Sequence, residues 1–541
     1  MIDFNQQYNV HFIGIGGVSI HSLALFCKDC GWKVAGSDAS TNKYTRLCQE
    51  RGIKVFLGHK KEHIKSPDFV VKSSAIKDDN PELAYAKDLG IKVYDRAEFL
   101  NAILKKIPTV IAVSGTHGKS TTSTMIYEIL KNAHKRVSCQ IGADVDNANL
   151  SLNDEILVLE ACEYNKNFLK FKIDIAVVLN VEKDHMECYG SFFQLKNAFL
   201  SFLKHAKKRY VFASPTTDYI TLKNLTKIEQ PKIIKNKFLF EKHKYMLDFL
   251  IGEQYIFDAC VAIKVATDLG VPYKIIYETL KNFRPINRRQ QLIGKINNHS
   301  KSVDNKCANS QTIDENSNEA TLGKDLSNKS TSENIVQHDT EIYIDYAHHP
   351  TEIKCNLDAF SHYKTLCIFQ PHTFSRTKFL KKEFVSVLSK CDCIICKEYS
   401  ARETAKDGLS AYDLYTEILK CKKTSAPCNT IDKTKSEINK QSNSRKESSN
   451  QNKNSKRCTE NINQQSLSKS QYDYFIKYGK DTVQKKQFTN TNPKNYLIKY
   501  ADNVDQLKQM IQTSNYEKII FFGAGNIDQI AYTICHDLIE D

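Results

Sequence analysis

Lys119 and Ser120 stand directly behind Gly118 in "VSGTHGKSTT" (113–122), with Gly115 three residues before that glycine. An ammonium and a hydroxyl in a glycine loop suit a nucleoside triphosphate. The lysine offsets β/γ-phosphate charge, and the hydroxyl ligates Mg2+. The general phosphate-loop pattern GxxxxGK[ST] wants glycine where Val113 stands. The flanks still point to a phosphate cradle. An apolar strand, "TVIAV", enters the loop and a helix opening "STTST" leaves it, so backbone N–H groups and the positive helix end face the loop.

Carboxylates and an imidazole recur at the ends of later apolar runs. "LVLEACEY" ends on Glu160 and Glu163, and "VVLNVEKDH" on Asn180, Asp184 and His185. Ligands of α/β sheets gather at such carboxyl ends, and carboxylates beside Mg-ATP are expected as metal ligands. "DYAHHPTE" (345–352) and "FQPHTFSRTK" (369–378) gather histidine, arginine and carboxylate after two more strands. Such clusters suit a ribose, a phosphate or a substrate carboxylate. Near the N-terminus, Gly14, Gly16 and Gly17 follow "YNVHFI", and Asp38 lies where a dinucleotide fingerprint places its ribose-binding acid. Ser19 replaces the last glycine of that fingerprint. On spacing alone, a dehydrogenase domain and a domain for another diphosphate nucleotide are equal readings.

The elements that must position these residues form three consecutive α/β modules. "YNVHFIGIGG", the apolar helix "IHSLALFCKDCG" and the strand "WKVAGSD" begin the first, which runs to about residue 107. The second opens at "TVIAVSGTHGKS" and closes through "FDACVAIKVATDLG" and "PYKIIYETLKNF" on the basic turn "RPINRRQQ". The third holds "EIYIDYAHHPTE", "TLCIFQPHTFSR" and "EKIIFFGAGNIDQ". Expected boundaries are 1–107, 108–288 and 289–541, with polar insertions at about 297–339 and 421–490.

Composition narrows the class. The formal charge is +15, yet 421–490 alone carries 15 Lys and Arg against 6 Asp and Glu. That Asn/Ser/Lys-rich stretch is nearly free of apolar residues, so a solvated insertion is expected and no nucleic-acid partner. No run of 18 apolar residues occurs, so no membrane insertion is expected. The first residues lack the pattern of a secretory signal, which points to the cytoplasm. Most of the 17 cysteines sit in apolar runs, and "CKDC" and "CDCIIC" lack the paired spacing of a zinc site. They read as free thiols acting as small hydrophobes.

Taken together, "HFIGIGG", "GSD", "SSAI", "VSGTHGKSTT", "LEACEY", "VLNVEKDH", "RR", "DYAHHPTE", "FQPHTFSRTK" and "GAGNI" closely resemble the Mur ligase family. They run in the family's order over nearly the whole chain, and the short phosphate loop is the one that family uses. The resemblance implies an N-terminal Rossmann-like domain for a UDP-sugar, a central P-loop ATPase-type domain, and a C-terminal Rossmann-like domain that closes over the nucleotide. It implies ATP and Mg2+ as cofactors, UDP-N-acetylmuramate and L-alanine as substrates, and a monomer or weak homodimer.

By the same resemblance, Gly115, Thr116, His117, Gly118, Lys119, Ser120 and Thr121 hold the ATP phosphates, with Asn180, Arg288 and Asp345 also on ATP. Ser120, Glu160 and His185 hold Mg2+. Lys119 stabilises the moving phosphoryl group, and His348, His372 and Arg376 face the substrate carboxylate or the amino acid. Gly14, Gly16, Gly17, Ser37, Asp38, Ser73 and Ser74 embrace the uridine diphosphate. The family usually carries His and Asn where Gln254, Tyr255 and Asp258 stand, so the adenine contacts depart from its pattern. Neither insertion splits a site motif, and activity is expected to survive their deletion.

Three rivals remain at this level. A sister ligase joining a preformed peptide to the same sugar shares every phosphate motif. An NAD-dependent oxidoreductase accounts for "GIGG" and "GAG" but leaves "GTHGKS" and "LEACEY" unexplained. A non-catalytic nucleotide-sugar binder accounts for the altered adenine segment but not for intact Lys119, Ser120, Glu160 and His185.

Overall fold

The computed structural model of the chain describes residues 2–143, 150–234, 237–296, 339–399, 408–423 and 496–540. Both polar insertions fall outside them, save Asp339 and residues 421–423. The fold is mixed α/β, built on three mainly parallel sheets.

The first sheet uses β1 (Asn9–Ile13), β2 (Lys33–Asp38), β3 (Lys54–Leu57), β4 (Phe69–Lys72) and β5 (Lys92–Asp95) in the order β3-β2-β1-β4-β5. The strand order reverses between β1 and β4, and their carboxyl ends open a crevice there, the position where such sheets bind ligands. Gly14, Gly16 and Gly17 follow β1, Ser37 and Asp38 end β2, and Ser73 and Ser74 follow β4. A Cβ on Gly16 would lie 2.7 Å from Asn42 Nδ2 and 2.9 Å from Asp38 Oδ2, so packing demands glycine at that turn. Beneath the sheet, Trp32 meets Phe69 edge-on at 6.0 Å, and Phe12 meets Phe99 likewise at 6.1 Å.

The central sheet uses β6 (Thr109–Ser114), β7 (Val137–Gln140), β8 (Ile156–Glu160), β9 (Ile175–Val178), β10 (Lys208–Phe212) and β11 (Leu225–Ile228), ordered β11-β10-β9-β6-β8-β7. All its pairings are parallel. Helices cover both faces, which is why β6 and β9 read as unbroken apolar runs. One apolar cluster extends from the first sheet through the helix Arg96–Leu104 to one face of the central sheet. The helices Lys119–Asn132 and Glu253–Asp268 pack on the other face. A small antiparallel sheet, β12 (Lys232–Ile234), β13 (Lys237–Phe240) and β14 (His243–Met246), was not anticipated from sequence. Its strands are short, and only Phe238, Phe240 and Tyr245 turn inward, too few for a clear period of two.

The C-terminal sheet uses β15 (Gln291–Ile296), β16 (Thr340–Asp345), β17 (Thr365–Phe369), β18 (Asp392–Cys396), β19 (Ile498–Ala501) and β20 (Lys518–Phe522), ordered β15-β16-β20-β17-β18-β19. β15 is antiparallel to β16, and the other pairings are parallel. β20, last in sequence, takes a central position, with both faces covered and Phe521 and Phe522 fully buried. The cysteines of the described residues are free thiols. Among the described residues no helix is long and apolar enough to cross a membrane.

Candidate active site

β6 delivers the phosphate loop. Gly115 adopts φ +147°, and a Cβ there would lie 3.0 Å from the Leu179 side chain; Gly118 adopts φ +82°, and its Cβ would meet Asp258 Oδ1 at 2.3 Å. Both positions therefore require glycine. Val113 is a fully buried strand residue, so the position where the general pattern wants glycine belongs to the strand here and not to the loop. Asn180 braces the turn from the end of β9. Its Oδ1 accepts from His117 N at 2.8 Å, and its Nδ2 donates to His117 O at 3.1 Å. No side chain caps the helix Lys119–Asn132, which leaves its first amides facing the loop, as in phosphate-binding helices.

Lys119 Nζ donates to Thr116 O at 3.0 Å and lies 3.1 Å from Glu163 Oε2. Burial opposes its charge, but Glu163, Cys162 and Glu160 outweigh that and raise its pKa. Ser120 Oγ donates to Glu160 Oε2 at 2.9 Å, and the same oxygen accepts from Gly142 N at 2.7 Å. A hydroxyl touching a carboxylate at the start of the helix is a hard oxygen donor set, which suits Mg2+. Ser120 and Glu160 thus fit the expected ion. His185, in the left-handed region at φ +53°, groups instead with Glu163 and Asp184, whose donor atoms all lie within 4.8 Å of one another. Burial pushes the His185 imidazole down, but Glu187, Asp184 and Glu163 raise it overall.

The C-terminal domain closes onto this loop through charged pairs. Arg376 Nε and Nη2 donate to Asp184 Oδ1 at 3.1 and 3.0 Å. Asp184 is buried, and Arg376, with nearby histidines, outweighs that burial and holds its carboxyl far below the usual range. His348 donates from Nδ1 to Tyr346 O at 2.9 Å, and its ring centre lies 6.3 Å from that of His372. Burial and Arg376 push the His348 imidazole down to about 3, leaving it neutral. His117 Nδ1 lies 3.2 Å from Glu352 Oε1, and Thr351 Oγ1 donates to Glu182 Oε2 at 2.7 Å.

Two predicted ATP contacts are occupied within the protein. Asp345 is buried and accepts from the backbone of Gln290 and Ala347, both at 2.8 Å. Arg288 Nη2 donates to Gly523 O and Gly525 O, both at 3.0 Å. The next residue, Arg289, lines the cavity and lies 3.7 Å from Glu352. The motif "RR" marked this pair without distinguishing its members. In the first sheet, Ser37 Oγ is buried against Glu82 and bonds His59 Nδ1 at 3.0 Å. Asp38 Oδ2 accepts from Gly16 N at 2.8 Å. Sequence reasoning missed Arg96, which donates to Ser19 Oγ at 2.7 Å; Gln140 of the central sheet donates to the same hydroxyl at 3.0 Å. Ser19, the fingerprint's missing glycine, thus ties the first sheet to the second.

A cavity of ≈ 600 Å³ lies beside the loop, walled by Gly118, Phe212, Phe257, Val261 and Arg289. Its size suits a nucleoside. Gln254, Tyr255 and Asp258 all line it, and Gln254 Nε2 is buried without a hydrogen-bond partner. Asp258 accepts from Thr122 Oγ1 at 3.0 Å, and burial raises its carboxyl to about 7. An unfolded aspartate titrates near ~3.9. Between these values the folded chain holds the extra proton, so this group's contribution makes stability fall as pH rises from about 4 to about 7, then level off. Asp258→Asn keeps the Thr122 bond and removes the charge. At pH 8 we expect a gain of ~1 kcal/mol or more, or ~2–4 °C in Tm. Melting curves at several pH values test this, and a wild type and variant that run parallel from pH 5 to 8 would refute it.

Comparison with known proteins places this geometry. Residues 9–107 match the "Mur ligase family, catalytic domain", and residues 113–254 match the "Mur ligase middle domain". The UDP-N-acetylmuramate–L-alanine ligase of Caldicellulosiruptor saccharolyticus is 35% identical over 451 residues, covering 78% of this chain and 90% of that protein. The ligase of the same name from Aquifex aeolicus is 35% identical over 437 residues, covering 75% and 87%. The crystal structure of UDP-N-acetylmuramate-alanine ligase from Thermotoga maritima superposes with a TM-score of 0.66 at 19% identity, covering 98% of this chain and 99% of that one. A murein peptide ligase from Psychrobacter arcticus shares the fold at 0.56 and 18%, covering 99% of each. With its motifs in family order and its relatives spanned nearly end to end, the chain belongs to the Mur ligase family, whose members are ATP-dependent ligases.

Proposed function

We propose that the protein uses ATP to join L-alanine to the carboxylate of UDP-N-acetylmuramate through an acyl phosphate, a step of peptidoglycan precursor synthesis. The observation that carries this reading is the Arg376–Asp184 pair, which joins the domain holding His348 and His372 to the central domain that holds the Lys119 loop. A ligase of this kind must bring a phosphorylated carboxylate and an amine together, and the junction of two domains does so.

A carboxylate resists attack because oxide is a poor leaving group. Transfer of the γ-phosphoryl group forms a bond from carboxylate oxygen to phosphorus and breaks the bond to ADP. The neutral amine then attacks the acyl carbon, and phosphate leaves. Lys119 and the amides from Gly115 to Thr121 stabilise the charge on the transferred group. Ser120 and Glu160 would hold Mg2+, which would neutralise phosphate charge; His185, expected as a third ligand from the family resemblance, groups with Glu163 and Asp184 in this structure. Arg376, His348 and His372 orient the carboxylate or the amino acid. The crevice of the first sheet, from Gly14 to Gly17 with Asp38, Ser73 and Ser74, takes the uridine diphosphate; Ser37 is held inside the fold by Glu82 and His59. Closure excludes the water that would hydrolyse the acyl phosphate. The reading includes domains at 1–107, 108–288 and 289–541, a monomer or weak homodimer, and a cytoplasmic location.

The deciding experiment supplies Mg-ATP, UDP-N-acetylmuramate and single amino acids in turn. Phosphate release with L-alanine alone is the expected result. Release only with a tripeptide selects the peptide-joining sister enzyme, and no release with any acceptor selects a binder.

A further inference from the structure

A further group of metal-type donors, distinct from Ser120 with Glu160 and from His185 with Glu163 and Asp184, lies at the seam between the central and C-terminal domains. His117 comes from the phosphate loop, Glu182 from the segment after β9, and His349 caps the helix Pro350–Ala359 of the closing domain. One donor atom from each lies within 4.8 Å of the others. His117 Nε2 is 3.6 Å and His349 Nδ1 3.9 Å from Glu182 Oε2.

Two features distinguish this group from an ordinary ion-pair network. His349 is only 4% exposed, and its Nε2 is buried with no hydrogen-bond partner; His117 Nε2 is in the same state. Unmade bonds of this kind are costly inside a protein. His117 also presents its other nitrogen, Nδ1, to Glu352 at 3.2 Å, the outer-shell carboxylate that orients metal-binding imidazoles.

We propose that His117, Glu182 and His349 form a transition-metal site, of the Zn2+ or Co2+ class, that clamps the phosphate loop to the closing domain. Two imidazoles and a carboxylate suit those ions, whereas Mg2+ favours all-oxygen donors. The ion sits between His117 Nε2 and Glu182 Oε2, which lie 3.6 Å apart. It displaces the weak 3.3 Å contact from Thr351 N to His349 Nδ1 if that nitrogen is the ligand. The site shares no donor with Ser120 and Glu160 and needs no nucleotide.

The test titrates Co2+ alone into the full chain and follows visible absorption, then adds Zn2+ or Mg2+. One equivalent of Co2+ with strong low-coordination bands is expected, lost on adding Zn2+ but not Mg2+. His349→Ala and Glu182→Gln should each weaken binding by ~100-fold or more, beyond the 10–100-fold typical of outer-shell changes. Ser120→Ala should leave it intact. Far-ultraviolet circular dichroism checks folding, and Glu182→Gln decides the matter if His349→Ala unfolds. Binding that survives in a folded Glu182→Gln or His349→Ala variant, or no Co2+ bands in the wild type, overturns the proposal. Because ATP and sugar nucleotide are absent, failure here leaves the ligase reading untouched.

Discussion

Lys119→Ala is expected to lower phosphate release by ~10³-fold or more while leaving UDP-N-acetylmuramate affinity nearly unchanged. Removing one preorganised donor from a developing anion commonly costs 10²–10³-fold, and charge-stabilising groups in phosphoryl transfer reach higher. Here the ammonium is held in place before any nucleotide arrives, by Gly115 O, Thr116 O and Glu163. The candidate sugar-nucleotide residues sit on a different sheet, at the ends of β1, β2 and β4. Effects at such separated sites stay independent within ~0.3–0.5 kcal/mol, about twofold in affinity. Calorimetric titration with each nucleotide, beside a phosphate-release assay, checks both halves. Should sugar-nucleotide binding fall as far as ATP binding, the two domains do not divide the work as proposed.

Arg376→Ala is expected to cut kcat/KM for the amine acceptor by ~10²-fold to ~4 × 10³-fold. The guanidinium places two N–H groups on one oxygen of Asp184, across 192 positions of sequence, and both side chains are mostly buried. Truncating one partner leaves a buried carboxylate uncompensated, a loss of ~3–5 kcal/mol in comparable pairs. At ~1.4 kcal/mol per tenfold, that sets the range. Adding Asp184→Asn to the Arg376→Ala background removes the stranded charge and should recover part of the rate. The coupling across this double-mutant cycle is expected at ~1–3 kcal/mol. If the two losses simply add, Arg376 acts on substrate alone and the pair does not hold the domains together.

Several parts of the site were legible in the linear chain because their chemistry is local. The run from Thr109 to Ser120 holds a buried strand, a glycine loop and a helix start in contiguous residues, so spacing alone implied a phosphate cradle. Glu160, Asn180 and His185 were legible for a related reason: each ends a buried apolar run, and parallel sheets deliver such ends to one edge. Glycine at 115 and 118 follows from close backbone approach, which the motif records directly. Val113 looked like a defect only because the general pattern places loop where this chain keeps strand.

Other assignments were not local and could not be read that way. Arg288 and Arg289 are adjacent and identical in type, yet one is bound to Gly523 and Gly525 and the other faces Glu352. Only the placement of the turn after β20 beside Arg288 separates them. Ser37 reads as a ligand hydroxyl in "GSD", but Glu82, 45 positions on, holds it inside the fold. Asp258 reads as an altered nucleotide contact, and the fold shows it wedged against Gly118 and Thr122.

The sequence by itself determined the three α/β modules, the glycine loop after β6 and the carboxylates and histidine placed after strand ends, because backbone periodicity, glycine sterics and helix polarity act over a few residues. Tertiary structure alone decided which polar and charged groups meet across the seam: Arg376 with Asp184, His117 with Glu352, and Glu182 with Thr351. Those pairings depend on how separate sheets dock, and burial sets their strength. An isolated charge in a sequence carries neither its partner nor its dielectric.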